Sequence, residues 1–451
     1  MTLGNGTDRR EIQKHSVGKF KTLFNEEEVD FLENLDNLIT PCITEEENIE
    51  LCRVPTQSEI KKELFQMQTL KAPGPDGFPL LLYKKYWAIV GEFVTRAVTS
   101  FCQAGRMPAE VNNSFIVLIH KSQSPTSFNH YRPISLCNVV YKIITKLLVS
   151  RLRKILHKLI SPTQVEFISG RWISENQIVV QEMLHSFKTR KVKSGLMAVK
   201  IDLPKAYDRV NWCFLQVVLK NFGFDEKFVQ WILECVSTVS FELLINGGKT
   251  GQFRSKRGLR QGDPLSPYLF ILCQEVLSRI LEKEFMEKNI SGVKASIGST
   301  PITHVMYMDD IVLFSKAYRR EANAINDCLE KYCRWFGQLL NRAKSGIIFS
   351  KLTHQQTRRG IKHFLQMKSL KMDSVYLGAP LFLTKAPAKD FKFLQERLEA
   401  KLKGWRSKTL SWAGRSTLIK TVAQALPTYT MSTFDIPTKV CDKLDALTRK
   451  F

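Results

Sequence analysis

Residues 305–314 read Val-Met-Tyr-Met-Asp-Asp-Ile-Val-Leu-Phe, so that two adjacent carboxylates, Asp309 and Asp310, interrupt an apolar stretch. An apolar run broken by a two-residue polar step predicts a β-hairpin with the carboxylates at its tip. Adjacent carboxylates repel each other, and in a partly desolvated place they need protons or a bound cation to coexist. The stretch therefore predicts a cation site, the alternative being a solvated turn that happens to use Asp-Asp.

A third carboxylate upstream favours the cation site. Asp202 ends the short, β-prone segment 197–201, beyond which apolar residues recur at helical spacing. Carboxylates from a strand end and a hairpin tip can converge on two divalent ions about 3.5–4 Å apart, an arrangement that serves in-line phosphoryl transfer. Mg²⁺ suits such a site, because it binds a few carboxylate oxygens and leaves room for water and phosphate. Mn²⁺ is the alternative ion.

The charge balance favours a polyanionic partner. The chain carries 67 Lys and Arg residues against 43 Asp and Glu residues, a net charge of +24. Residues 1–55 reverse this balance, with six basic and twelve acidic residues. The body of the chain is therefore basic, which favours a polyanionic partner such as nucleic acid, and the N-terminal stretch is acidic.

The cysteine pattern and the apolar segments bear on the compartment. The ten cysteines are scattered without a Cys-x-x-Cys pair, and no signal-like or membrane-spanning run occurs. We therefore expect a reduced, intracellular, soluble protein, in the nucleus, the cytoplasm or both. Cys328 and Cys333 lie five residues apart on a predicted helix and face different ways, which favours core thiols over a metal site.

Several further segments are predicted from local pattern. Thr56 with Glu59 resembles a capping box that opens a helix to Met67. Residues 71–77, KAPGPDG, form a loop whose glycine N–H groups and Lys71 could meet a phosphate, a plain tight turn being the alternative. Strands are expected at 114–120 and around 131–134, a hairpin at 241–256, a helix at 319–340 and a strand at 346–350.

Three basic or glycine-rich segments could contact nucleic acid. Residues 139–159 predict a long basic amphipathic helix that lines a channel or presents a solvated face. The loop with Gln261 and Gly262 precedes a helix, capped by Asp263, that runs to about residue 284, and such a loop is a ready anion site. In the tail, 385–451, Trp405 and Trp412 stand among fourteen basic and six acidic residues, which suits base stacking or buried tryptophans of a helical bundle.

Taken in order, these segments resemble the reverse transcriptases of plant-type non-LTR (LINE) retrotransposons. The resemblance runs from about Phe31 to the C terminus. It rests on seven ordered markers: KAPGPDG at 71–77, YRPISL at 131–136, ID at 201–202 with AYDRVNW at 206–212, RQGDP at 260–264, Asp309-Asp310, NRAKS at 341–345 and YLG at 376–378.

The resemblance implies a fold and a division of the chain. The expected fold is α+β, the right-hand polymerase fold with fingers, a palm with an antiparallel sheet and a helical thumb. Residues 1–55 would be the acidic N-terminal extension, 56–380 the interleaved fingers and palm, and 381–451 the thumb and the start of a C-terminal region. The ending inside an apparent helix suggests a truncated copy.

The resemblance also implies roles for single residues. Asp202 and Asp309 would bind both metal ions, with Asp310 as the third carboxylate. Lys344 would act near the pyrophosphate as a general acid, a surface lysine being the rival interpretation. The remaining roles are nucleotide or template binding by Lys71, Arg132, Tyr207, Gln261 and Gly262, with Tyr207 excluding a 2′-hydroxyl, and a primer grip formed by Tyr376, Leu377 and Gly378.

The function expected from these features is RNA-directed DNA polymerisation, in which a DNA 3′ end is extended on an RNA template with dNTPs. The alternative is a decayed or domesticated RNA-binding remnant, because Pro204 stands where the family usually has Ser and the chain is cut short. A metal-dependent nuclease would also use three carboxylates but leaves Tyr207 and the Gln261 loop without a role. The sequence contains no ribonuclease H pattern and no Cys/His knuckle.

Overall fold

The structure of the chain is a computed structural model. It describes all residues except 1–8, 26–34, 36, 122–123, 190–191, 193–194, 385 and 407–408, so parts of the expected N-terminal extension lie outside the described residues. Two compact units are each assembled from three separate stretches of chain. The first unit comprises 1–170, 203–290 and 323–341, and the second comprises 171–202, 291–322 and 342–451.

The helices follow one another along both units. In chain order they are α1 (Arg9–Leu23), α2 (Glu45–Cys52), α3 (Gln57–Gln66), α4 (Leu80–Lys85), α5 (Trp87–Ala104), α6 (Val139–Leu152), α7 (Leu156–Leu159), α8 (Ile173–Thr189), α9 (Trp212–Phe222), α10 (Glu226–Ser237), α11 (Ser266–Met286), α12 (Arg319–Phe336), α13 (Gln355–Leu365), α14 (Pro387–Asp390), α15 (Lys392–Arg406), α16 (Trp412–Leu418), α17 (Ala425–Met431) and α18 (Thr438–Arg449).

The strands are short, and most of them pair antiparallel. They are β1 (Asn113–His120), β2 (Tyr131–Cys137), β3 (Leu196–Ile201), β4 (Ser240–Ile245), β5 (Gly248–Lys249), β6 (Phe253–Arg254), β7 (His304–Tyr307), β8 (Asp310–Lys316), β9 (Gly346–Phe349), β10 (Lys368–Ser369), β11 (Val375–Tyr376) and β12 (Ala379–Pro380). Abundant helix beside mostly antiparallel sheet confirms the α+β fold class.

The first unit is built on a sheet with the strand order β2-β1-β4-β5, with β6 also paired to β4. Strand β1 runs antiparallel to β2 and parallel to β4, so the chain must cross over between them. An aromatic cluster of Phe20, Phe24, Phe241 and Phe253 packs helix α1 onto this sheet. The sheet and α1 therefore share one core.

The second unit is built on a sheet with the order β10-β9-β3-β8-β7. Strand β3 lies at its centre, antiparallel to both β8 and β9, and five of its six residues are buried. Helix α8 packs on this sheet through residues such as Val180 and Met183. A separate apolar cluster joins helices α15 and α18 in the C-terminal stretch.

The basic helix predicted at 139–159 is shorter and more buried than expected. Helix α6 ends at Leu152, and the short helix α7 follows. Arg151 is 2% exposed and its guanidinium donates to Glu59 and to the carbonyl oxygen of Leu51. This cation therefore stabilises the core, and the partly exposed cations of the helix are Lys142 and Lys146.

Two other helix starts refine the sequence predictions. The hydroxyl of Thr56 accepts a hydrogen bond from the Glu59 N–H, as predicted, and Glu59 itself pairs with Arg151. Helix α11 begins at Ser266 rather than at residue 264, because the Asp263 carboxylate accepts from the Leu265 N–H and the Ser266 hydroxyl. Asp263 thus still organises the turn before the helix, in agreement with the structural role expected for it.

Two findings concern membranes and thiols. Within the described ranges, no helix is long and apolar enough to cross a bilayer. All ten cysteines are free thiols, and Cys328 is buried as a core thiol.

Candidate active site

The hairpin at 305–314 forms as predicted, with one shift of register. Strands β7 and β8 pair antiparallel, and Tyr307 and Asp310 form the last pair before the turn. Met308 and Asp309 therefore occupy the two-residue turn, with Met308 in the left-handed region at a φ of 52°. Asp310 is therefore the first residue of β8. The prediction that both carboxylates lie at the tip of the hairpin was wrong for Asp310.

Strand pairing places the third carboxylate beside this hairpin. In the antiparallel ladder of β3 and β8, Ile201 lies opposite Ile311, so the next residues in register are Asp202 and Asp310. The Asp202 backbone N–H donates to the Ser345 hydroxyl at 3.0 Å. The strand end that carries Asp202 is therefore fixed from both neighbouring strands.

The carboxylates share one electrostatic field. Desolvation by the surrounding protein raises the pKa of Asp309, although its side chain remains exposed, and the charges of Asp310 and Asp202 raise the pKa further. The Lys200 ammonium acts in the opposite direction on Asp309 and pairs with Asp310 at 3.1 Å. A cation bound at this place would relieve the repulsion between the carboxylates.

The fit of this site to divalent metal ions rests on its donor chemistry. Asp202, Asp309 and Asp310 offer carboxylate oxygens, which are the donors that Mg²⁺ and Mn²⁺ prefer. In the part of the chain that the structure describes, no group of three or more His, Cys, Asp or Glu side chains is arranged to hold a metal ion. The residue types fit the ions, and one oxygen of Asp310 is engaged by Lys200.

Sequence reasoning missed Ser345 and Lys200. Ser345 is buried directly after the exposed Lys344, the residue that had been singled out. Lys200 is the one charged residue in the strand segment LMAVKI and precedes Asp202 by two positions, so both side chains emerge on one face of the strand. A lysine two residues before a candidate metal ligand was the signal that could have found it.

The expected primer grip forms a tight hairpin turn between β11 and β12. Leu377 and Gly378 occupy the turn at φ values of 47° and 80°, and Tyr376 pairs with Ala379. Tyr376 is fully buried, and burial raises the pKa of its hydroxyl well above the usual value. The turn is as predicted, and Gly378 is its exposed residue.

In the first unit the Gln261 loop is anchored to strand β2. The Ser135 N–H donates to the Gln261 carbonyl oxygen at 2.7 Å. Gly262 has a φ of 111°, and a Cβ there would lie 2.9 Å from the Ser135 carbonyl oxygen. Only glycine fits this close approach. Arg132 is an exposed residue of the same strand, so β2 carries both Arg132 and the residue that anchors the Gln261 loop.

The arginines beside this loop hold it in place rather than facing a ligand. Arg257 and Arg260 are 3% and 5% exposed. Arg257 donates to the Leu23 carbonyl oxygen, and Arg260 donates to the Cys235 carbonyl oxygen and lies over the Tyr141 ring. Both guanidinium groups are therefore structural.

Tyr207 and Asp208 contact the same loop. The Tyr207 carbonyl oxygen accepts from the Leu259 N–H at 2.8 Å, and the Tyr207 ring stacks on Phe270 with centroids 5.1 Å apart. Burial raises the pKa of Asp208 to about 6, and a hydrogen bond with the Gln261 side chain partly opposes that rise. Tyr207 is thus held by its hydrogen bond to Leu259 of the loop, and Gln261 of the same loop bonds to Asp208, the next residue in the chain after Tyr207.

A cavity of about 670 Å³ in the first unit is lined by Lys71 and Gly262, among other residues. Its wall includes two cations of helix α6, Lys142 and Lys146. Burial lowers the pKa of Lys142, and the neighbouring charge of Lys71 lowers it too. Repulsion between these lysines favours an anion in the cavity. Arg132 does not line it.

Comparisons with known proteins converge on one family. The family model for reverse transcriptase (RNA-dependent DNA polymerase) matches residues 119–394, which is more than half of the chain. A 149 kDa protein of transposon TX1 from Xenopus laevis is 26% identical over 383 residues, covering 84% of this chain and 28% of that protein.

Further relatives extend this finding. The Pol polyprotein of the type-2 retrotransposable element R2DM of Drosophila melanogaster is 26% identical over 246 residues, covering 54% of this chain and 22% of that protein. An uncharacterized mitochondrial protein of Arabidopsis thaliana is 48% identical over 67 residues, covering 15% of this chain and 55% of that protein. The chain thus spans about a quarter of the length of the first two of these relatives. The family match covers both the Asp309-Asp310 hairpin and Asp202, and the chain belongs to the reverse transcriptase (RNA-dependent DNA polymerase) family.

Proposed function

We propose that this chain is the RNA-directed DNA polymerase of a plant-type LINE element and that it extends a DNA 3′ end on an RNA template with dNTPs. The observation that carries the proposal is the pairing of β3 with β8, which sets Asp202 beside Asp310 and next to the Asp309 turn. Family membership supports the reaction class. The division into extension, interleaved fingers and palm, and thumb belongs to the same proposal.

In this proposal Asp202, Asp309 and Asp310 hold two Mg²⁺ ions, with Mn²⁺ as a substitute. Such ions, when bound, lower the pKa of the attacking hydroxyl and neutralise charge on the transferring phosphate. Ser345 fixes the backbone of Asp202, and Lys200 balances the charge of Asp310. These two residues position the carboxylates rather than react.

The proposed roles of the other residues follow the resemblance. Arg132 grips the triphosphate, Gln261 and Gly262 contact the nucleotide and template, and Tyr207 excludes the 2′-hydroxyl of ribonucleotides. The remaining proposed roles are a phosphate contact by Lys71, proton donation to pyrophosphate by Lys344, and a primer grip formed by Tyr376, Leu377 and Gly378.

Primer extension tests the proposal. The protein is given a DNA primer on an RNA template, dNTPs and Mg²⁺, and its extension rate is compared with those of two variants. Asp309→Asn removes a proposed ligand charge and should lower the rate by at least about a hundredfold, the scale of a lost electrostatic group at a reacting phosphate. Asp373→Asn, at an exposed position outside the site, should retain full activity. Equal extension by both variants would refute the proposal.

A second candidate function is that of an RNA-binding remnant without catalysis. Pro204 favours it, because proline lacks an N–H and fixes φ in the turn after Asp202, where Lys205 takes a φ of 54°. A remnant would bind RNA with affinity that falls by orders of magnitude between ~50 and ~200 mM salt and would not extend primers. Extension restored by Pro204→Ser would support this candidate, and normal extension by the unchanged protein would remove its support.

A further inference from the structure

A groove in the C-terminal helices of the second unit has no part in the site described above. It has a volume of about 730 Å³ and is walled by helix α16, the turn that follows α16, and the end of helix α18. Its lining combines aromatic rings with cations, chiefly Trp412, Arg415, Lys420, Arg449 and Phe451.

Trp412 presents an indole ring to solvent at the edge of this groove. Its side chain is 87% exposed, whereas Trp405 of helix α15 packs against the apolar cluster of α15 and α18. An exposed indole ring offers a large apolar face that a ligand can cover. Trp405 therefore packs within the protein, whereas the ring of Trp412 is accessible to a ligand.

Arg415 is held in a defined place beside this ring. Its guanidinium lies 6.0 Å from the Trp412 centroid and 5.8 Å from the Phe451 centroid. It also donates to the main-chain oxygen of Phe451 at 3.0 Å, while the Phe451 ring packs on Trp405. A guanidinium group near two aromatic rings that makes this one hydrogen bond has further N–H donors that can bind an anion.

The charge of the lining favours an anionic ligand. Arg415, Lys420 and Arg449 face the groove together with one acidic residue, Asp445. Lys420 comes from residues 419–423, which form a turn of π-helix between α16 and α17. Such wide turns alter the direction of side chains and occur often at functional sites. The turn sets Ile419 and Lys420 in the same wall as Trp412.

We propose that this groove binds single-stranded nucleic acid, with a base stacked on Trp412 and adjacent phosphates held by Arg415, Lys420 and Arg449. An exposed aromatic ring can stack on any unpaired base, whereas the bases of a duplex are already stacked on one another. The three cations that line the same groove as the ring supply positive charge for the phosphates that flank such a base. The proposal concerns a binding site and does not depend on polymerase activity.

Photocross-linking of hexanucleotides tests the assignment of Trp412. A uracil hexamer carrying 5-iodouracil is irradiated with the full chain, in an RNA form and a DNA form, and the linked peptide is identified by mass spectrometry. Linkage to Trp412 by the RNA form alone shows that the groove binds single-stranded RNA. Linkage by both forms shows that it binds single-stranded RNA and single-stranded DNA. Linkage by neither form, or only to other peptides, overturns the proposal.

Affinity measurements provide the second arm. Hexamer binding is followed by fluorescence anisotropy in the presence of excess unlabelled blunt duplex, which should not compete for the groove. Trp412→Ala should weaken binding about tenfold, Trp412→Phe less than threefold, and Lys420→Gln should weaken it and reduce the salt slope by about one. Trp172→Ala and Lys401→Gln, at exposed positions outside the groove, serve as matched controls and should bind normally.

Two results of the affinity arm would contradict the groove. One is displacement of the hexamer by the blunt duplex, and the other is equal affinity for Trp412→Ala and Trp172→Ala. Circular dichroism and thermal unfolding of each variant separate a loss of binding from a loss of folding. Since Trp412 is exposed, its replacement should leave the melting temperature unchanged.

Discussion

Asp310 and Lys200 form an ion pair at the candidate metal ligands. The ammonium and carboxylate lie 3.1 Å apart, and the two side chains are 18% and 41% exposed. At such exposure an ion pair is worth about 0.5–1 kcal/mol. The lysine thus supplies a modest positive charge where the proposed function requires divalent cations, and the two kinds of cation should compete.

Replacing Lys200 should therefore strengthen metal binding. We expect Lys200→Met to lower the dissociation constant for Mg²⁺ about two- to fivefold, because one repelling charge is removed and Asp310 is released. Isothermal titration calorimetry with Mg²⁺ measures this without substrates. Lys200→Arg keeps the charge and should bind Mg²⁺ as the unchanged protein does. Weaker binding by Lys200→Met would mean that the lysine mainly orients Asp310.

Tyr207 offers a test of nucleotide selection. Its ring is braced by the stacked Phe270 ring at 5.1 Å, so its position is fixed by packing as well as by the backbone. We expect Tyr207→Ala to raise incorporation of ribonucleotides relative to deoxyribonucleotides at least tenfold, because the space beside the sugar opens. Tyr207→Phe keeps the ring and should keep the selectivity. Single-nucleotide extension with matched dNTP and rNTP measures the ratio, and an unchanged ratio in Tyr207→Ala would exclude this role.

At the residue scale, the positions of the acidic residues were predicted from the sequence better than the residues that hold them in place. Asp202 and Asp309 stand at the strand end and in the hairpin turn as expected, because local apolar patterns define both elements. Ser345 is 143 residues away from Asp202 in the chain. Its hydrogen bond depends on the pairing of β3 with β9, which no local pattern reveals.

The loop around Gly262 carries a prediction at the scale of a structural element. Gly262→Ala combines a positive φ with a clash at the Ser135 carbonyl oxygen, so the loop must move away from β2. We expect the free energy of unfolding to fall by about 1–3 kcal/mol and the KM for dNTPs to rise. Chemical denaturation and steady-state extension measure the two effects.

Gly251 provides the matched control for this loop. A Cβ at Gly251 would meet no atom within 4 Å, and its φ lies outside the left-handed region. Gly251→Ala should therefore change the free energy of unfolding by less than about 0.5 kcal/mol. If the two alanine variants were equally stable, the close approach of Gly262 to Ser135 would not constrain the loop.

Among the elements, strands and turns were predicted more accurately than helix limits. The hairpins at 305–314 and 241–256 contain their own turn signals, and Asn246 and Gly247 take the positive φ values that such a turn needs. The burial of Arg151 in α6 was missed because an arginine in an amphipathic pattern looks like a surface cation in the sequence. Its partner, Glu59, lies 92 residues earlier.

Glu166 is one of the buried or half-buried carboxyls through which the stability of the whole molecule should depend on pH. Burial raises the pKa of this carboxyl from 4.5 to about 7, so the folded state disfavours its ionised form. The carboxyl has no unfavourable effect below pH 4.5, and destabilisation grows until pH 7. After discounting for solvent, we expect Glu166→Gln to raise the free energy of unfolding by about 1–2 kcal/mol at pH 8 and by almost nothing near pH 4.5.

Urea unfolding at several pH values measures this dependence. Glu110→Gln, at an exposed position, should leave the curve unchanged at every pH. A gain for Glu166→Gln that did not vary with pH would show that packing, and not ionisation, limits stability at this position.

The interleaving of the two units has a consequence for biosynthesis. Strand β3 ends at Ile201, while its partner β8 begins at Asp310 and its partner β9 at Gly346. At roughly 5–20 residues per second, a ribosome needs at least about 5 s after β3 to deliver β8. During that interval an apolar strand has both edges unpaired, and such edges are prone to pair with other chains. The nascent chain should therefore depend on chaperones until β8 and β9, up to residue 349, have emerged.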